Sequence, residues 1–117
     1  MKKILIVFAV ALMGFSLQAQ NKNAKAEIEV DGVCMMCKDR IEKAAINTKG
    51  VKSAVWNVGT HQLSLIFDEN KTSLETIEQS VANVGHDTKS ITATTEVYDN
   101  LHPCCKYRDE EVINDHH

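Results

Sequence analysis

Apolar and acidic positions alternate with a period of two along Ala26-Glu27-Ile28-Glu29-Val30, which predicts a half-buried strand. Asp31-Gly32 ends it. From Cys37 the period lengthens. Ile41, Ala44, Ala45 and Thr48 fall on one helical face, opposite Lys38, Asp39, Glu42 and Lys43, and Gly50 supplies the stop. Ile46 falls off that stripe. Val51 to Val58 predicts a second strand carrying the only tryptophan, Trp56, with turn chemistry in Asn57 and Gly59-Thr60. His61 to Phe67 predicts a third, with Leu63, Leu65 and Phe67 on one face. Thr72-Ser73-Leu74-Glu75 is a capping-box pattern that opens a helix with the stripe Leu74, Ile77, Val81 and Val84, closed by Gly85. Thr88 to Thr95 alternates around Ile91 and Ala93 and predicts a fourth strand.

The order β-α-β-β-α-β predicts an α+β fold, a ferredoxin-like βαββαβ sandwich whose antiparallel four-stranded sheet carries two helices on one face. The expected core is Ile28, Val30, Ile41, Ala44, Ala45, Val51, Val55, Leu63, Leu65, Phe67, Leu74, Ile77, Val81, Val84 and Ile91. So small a core is marginal by area, and a bound metal or a tail folded back onto it would add stability.

Ahead of this domain, Met1-Lys2-Lys3, the apolar run Ile4–Phe15 and Ser16-Leu17-Gln18-Ala19 have the build of a signal peptide over residues 1–19. The run is shorter than the ~18–20 apolar residues a membrane span needs, so no stable span is expected after cleavage. The expected location is periplasmic or secreted. Residues 20–25 read as a flexible leader, 26–95 as the domain and 96–117 as a tail. Cleavage removes Lys2 and Lys3, so 13 basic side chains become 11 against 16 acidic ones, a net charge of −5. That balance excludes nucleic acid and anionic membrane surfaces as partners.

The four cysteines form two close pairs, Cys34/Cys37 and Cys104/Cys105. Neither spacing suits long-range stapling: Cys34–Cys37 would close a tiny loop that removes little chain entropy. Close thiols suit ligation or redox chemistry better. A Cys-x-x-Cys alone fits zinc, redox and soft-metal sites, but this one lies at a strand-to-helix turn. There the unpaired N–H groups and the positive end of the helix dipole favour thiolate, the form that binds metal or attacks a disulfide. Two thiolates at low coordination number select Cu(I) by softness, whereas a tetrahedral Zn(II) site needs two further ligands.

Four features carry a resemblance to a known family: the thiol loop Gly32–Cys37, Ile41 four residues after the second cysteine, Gly50-Val51, and Gly85 after the second helix. Residues 26–94 resemble the heavy-metal-associated domain of soft-metal chaperones, metal-pumping ATPases and a periplasmic mercury-scavenging protein. The resemblance implies that Cys34 and Cys37 bind Cu(I), or Hg(II), Zn(II) or Cd(II). It also places His86 near the metal as a further ligand. The family commonly reads Gly-Met-x-Cys-x-x-Cys, with that Met packed under the loop. Here only Val33 separates Gly32 from Cys34, and Met35 or Met36 is expected to take that Met's place.

The tail lies beyond what such a domain requires. Tyr98, Leu101 and Tyr107 give it apolar surface with which to dock. Docked beside the loop, Cys104 and Cys105 would complete a four-sulfur metal site or form disulfides with Cys34 and Cys37. The expected function is a soft-metal binding protein, not an enzyme, that sequesters or transfers Cu(I) by thiolate exchange. Its partner would be a metal-transporting ATPase or another cysteine-bearing acceptor. The alternative is a thiol–disulfide oxidoreductase with Cys34 as nucleophile and Cys37 as resolving thiol. Against it, the strand order is not thioredoxin-like and the sole proline is Pro103.

Overall fold

The computed structural model describes residues 21–115, so the expected signal peptide lies outside the described residues. Along the chain the elements are β1 (Ala24–Glu29), α1 (Met35–Ile46), β2 (Val51–Trp56), β3 (Gln62–Phe67), α2 (Leu74–Asn83), α3 (Thr95–Asp99), a 3-10 turn (Pro103–Cys105) and α4 (Glu110–Asp115). The sheet is antiparallel in the order β1-β3-β2. Its central strand β3 puts Leu63, Leu65 and Phe67 on the buried face, as the period of two requires. Ile28 pairs with Leu63 and Ala26 with Leu65 on one side, Trp56 with Leu63 and Ala54 with Leu65 on the other. α1 buries Cys37, Ile41 and Ala45, and α2 buries Ile77 and Val81. α1 packs on β2 and on α2, so the core is closed by one helical layer.

Two expectations about the core are corrected. Val55 is 55% exposed because the β2 register shifts between Val51 and Ser53. This bulge reverses the alternation, so Trp56 and Ala54 face inward and Val55 lies opposite the exposed Ser64. Leu74 is exposed because it stands at the start of α2, a turn before the stripe, where it lines an open groove with Ile28 and Glu78. The helix is capped by Ser73, whose Oγ accepts the Thr76 N–H at 3.3 Å, one residue later than the capping-box pattern indicates.

The fourth strand expected over Thr88–Thr95 does not form; among the described residues the sheet has three strands. Only a single bridge, Val30 to Thr88, continues it, flanked by Asp31 N–H to Asp87 O at 2.9 Å and Lys89 N–H to Glu29 O at 3.1 Å. The chain then turns on itself. Thr88 N–H donates to Ile91 O at 2.8 Å and Ile91 N–H to Thr88 Oγ1 at 3.0 Å. Ala93 N–H donates to Asp87 Oδ1 at 2.7 Å, so groups a ladder would need are used locally. Of the expected leader, residues 24 and 25 belong to the sheet. β1 already begins at Ala24, and Asn21 exchanges two hydrogen bonds of 3.0 Å with Glu69. Among the described residues no helix is long and apolar enough to cross a membrane.

Candidate metal centre

Cys34 is the N-cap of α1, with extended backbone and no side-chain capping bond, and Cys37 begins the buried stripe of that helix. Their sulfurs are 3.3 Å apart. The loop rests on Trp56. Its indole N–H donates to Val30 O at 3.0 Å, and a Cβ on Gly32 would come within 2.9 Å of the indole ring and 3.1 Å of Cys37 Cβ. Only glycine allows that approach. Trp56 and the buried Val33 thus fill the space beneath the loop, while Met35 and Met36 are 63% and 45% exposed. The expectation that one of these methionines plugs the core is corrected: both stand in the first turn of α1 on its outer side. β2 is held to the helix by Glu42, which accepts Trp56 N–H at 2.8 Å, and by Lys38, which donates to Trp56 O at 2.7 Å.

The tail docks on the same end of the domain. Tyr98, Leu101, Cys105 and Tyr107 are buried. Leu101 lies where a side chain on Gly85 would be, 2.9 Å from its ideal Cβ position, and Gly85 has φ +107°. The Tyr107 hydroxyl donates to Gly85 O at 2.6 Å and accepts Asp87 N–H at 2.9 Å. Arg108 pairs with Asp87 at 2.7 and 3.2 Å and covers the Tyr98 ring, 4.2 Å from its centroid. Pro103 opens the 3-10 turn, with His102 Nδ1 accepting Cys104 N–H at 3.3 Å.

This docking brings both thiol pairs together. Cys34 Sγ lies 3.2 Å from Cys105 Sγ and 3.9 Å from Cys104 Sγ, and the two tail sulfurs are 3.9 Å apart. Met36 Sδ adds a thioether 3.4 Å from Cys104 Sγ. Among the described residues, the cluster of ligating atoms within 4.8 Å of one another comprises Cys34, Cys104 and Cys105. The electrostatics separate the four. Burial works against the Cys34 thiolate, but the Cys37 N–H and the neighbouring thiols outweigh it and hold this thiol below its ordinary value. Burial pushes Cys37 up. Burial and the adjacent sulfurs raise Cys104 to about 11 and Cys105 to about 12. Arg40 lies against Cys105 and pulls the other way. The sequence reading passed over Arg40, although it stands one turn after Cys37, at a spacing that puts both on one helix face.

His86 is fully buried, stacked on Tyr107 at 5.3 Å, and is not a member of that sulfur cluster. Its Nδ1–H donates to Asp31 O at 2.8 Å, which leaves Nε2 buried without a partner. Burial lowers its pKa to about 4. The unfolded chain therefore takes up a proton near the ordinary value while the folded one stays neutral, and stability falls as pH drops from about 6.5 towards 4. The contribution lost by pH 4.5 is on the order of 2 kcal/mol. Urea unfolding of the reduced, metal-free chain at pH 7 and pH 4.5 should show this loss, and His86→Phe should shrink it. An equal loss in both proteins would refute the assignment.

Comparison with known proteins places the domain in a family. A copper chaperone, CopZ, of Staphylococcus haemolyticus is 32% identical over 63 residues, which are 53% of this chain and 93% of the chaperone. A copper-exporting P-type ATPase of the same organism is 36% identical over 64 residues, 54% of this chain but only 8% of that protein. Among solved structures, a CopZ metallochaperone superposes with a TM-score of 0.54 at 29% identity, covering 56% of this chain and 98% of that one. Residues 27–87, just over half of the 117, match the heavy-metal-associated domain, and the chain belongs to that family.

Proposed function

We propose that the chain binds a soft cation, Cu(I) before others, on Cys34 and Cys37 and passes it by thiolate exchange to a cysteine-bearing acceptor such as a metal-transporting ATPase. The observation that carries this reading is the pair of sulfurs 3.3 Å apart at the start of α1, with the Cys34 thiol below its ordinary value. Two thiolates suit a soft, low-coordinate ion. Hg(II) shares that softness; copper is preferred because the similar chaperone and ATPase are copper proteins by name. Exchange needs no acid–base pair, so the protein is a carrier and not an enzyme. We further propose that Met1–Ala19 directs export to the periplasm or beyond, as its basic start and apolar run support.

The test is competitive loading. Reduced full-length protein given Cu(I) with excess Zn(II) should retain copper in native mass spectrometry, and should lose it to a reduced copper-ATPase metal-binding domain. Preferential retention of zinc, or no retained metal, would overturn the proposal. Insulin reduction should stay at the uncatalysed rate, as expected of an ion carrier. Turnover that vanishes in Cys34→Ser would put thiol–disulfide chemistry first.

A further inference from the structure

We propose that Cys104 and Cys105 are a built-in cap on the soft-metal site, occupying the place that an acceptor's cysteines must enter. The inference rests on the metal-binding reading of Cys34 and Cys37 and adds the element that governs release. Its basis is geometric. In a three-coordinate site with metal–sulfur bonds of ~2.3 Å, the sulfurs stand about 4 Å apart. Cys34, Cys104 and Cys105 are separated by 3.2, 3.9 and 3.9 Å, so shifts of less than about an ångström would seat one ion among these three, with Cys37 outside that cluster but 3.3 Å from Cys34.

The tail is anchored independently of those sulfurs. Leu101 packs on Gly85, the Tyr107 hydroxyl bonds Gly85 and Asp87, and Arg108 grips Asp87. Adjacent thiols at the end of an unanchored tail would have no fixed place. Here a proline-started 3-10 turn, held by bonds on either side, delivers them to the loop. A second observation concerns charge. Arg40 Nη1 is buried without an acceptor, and this guanidinium lies against Cys105. A buried guanidinium nitrogen without an acceptor is costly, and thiolates gathered around a monovalent metal leave net negative charge beside it.

The exchange balances without electron transfer. On loading, each thiol that ligates gives its proton to solvent as a copper–sulfur bond forms. On release, an acceptor thiolate forms a new bond, a tail sulfur loses its bond and regains a proton, and copper stays Cu(I). The cap therefore slows departure of the ion and favours sequestration until an acceptor displaces it.

The experiment compares full-length wild type with Cys104→Ser/Cys105→Ser, both reduced and loaded with Cu(I), then challenged with bathocuproine disulfonate. The double variant should show fewer sulfur neighbours by X-ray absorption and should lose copper at least about tenfold faster, since an intramolecular ligand has been removed. Circular dichroism checks the fold. Because Cys105 is fully buried, the half-buried Cys104→Ser alone provides a second arm, with a smaller acceleration in the same direction. Equal sulfur counts and equal release rates in folded variants and wild type would overturn the cap. Unaltered copper binding in Cys34→Ser and Cys37→Ser would instead sink the underlying loop site.

Discussion

Serine in place of Cys34 is expected to lower Cu(I) affinity by at least about a thousandfold, roughly 4 kcal/mol. Cys34 is the hub of the sulfur cluster, with Cys37, Cys105 and Cys104 at 3.3, 3.2 and 3.9 Å. It is also the one of the four thiols held below its ordinary value, so it gives up its proton to metal most readily. A hydroxyl is a hard, protonated oxygen and a poor ligand for a soft ion. The substitution leaves the fold in place for a specific reason. Cys34 stands at the N-cap of α1 and makes no capping bond, and serine is among the preferred residues there. Affinity should therefore collapse while the unfolding midpoint holds or rises. Titration against a competing Cu(I) chelator, with chemical unfolding alongside, measures both; a dissociation constant within threefold of wild type would refute the role.

What the sequence disclosed and what it hid follow from the range of the interactions involved. The alternation of Leu63, Leu65 and Phe67, and the helical spacing of Ile77 and Val81, are local signals, and the structure buries these residues. The thiol loop was legible because its chemistry and its turn are contained in six consecutive residues, Gly32–Cys37. Trp56 was not legible as the floor of that loop. A bulge at Val51/Ser53 reverses the phase of β2, and nothing local in Val51-Lys52-Ser53 announces it. The same bulge made Val55 look buried. The fourth strand failed for a different reason: Thr88 and Ile91 satisfy one another and Asp87 accepts the Ala93 N–H, and that turn competes with a ladder of similar backbone length. The tail offered its apolar anchors, Tyr98, Leu101 and Tyr107, but their receiving surface at Gly85–Asp87 exists only once the domain has folded. Arg40 stayed hidden because its neighbour Cys105 is 65 residues away in sequence.

Trp56→Ala is expected to cost the most stability of any single core change considered, and to loosen the site with it. Truncating a fully buried tryptophan costs about 3–5 kcal/mol through lost transfer energy and the cavity left behind. Trp56 is 0% exposed and its indole N–H satisfies Val30 O at 3.0 Å, so the variant also strands a buried carbonyl at ~1 kcal/mol or more. The midpoint of thermal unfolding should drop by at least about 12 °C, at roughly 4–8 °C per kcal/mol for a domain of this size. The cavity opens directly beside Gly32, which packs so closely against the indole ring and Cys37 that a Cβ there would crowd both. Copper affinity should therefore fall as well, although no ligand has been touched, because the loop must be ordered anew when the ion binds. Saturating Cu(I) should restore part of the midpoint in this variant, since an ion that binds only the folded chain stabilises it by mass action. Differential scanning calorimetry with and without Cu(I) reads both effects. A loss below about 1 kcal/mol in the metal-free protein would show that Trp56 is not the floor of the thiol loop.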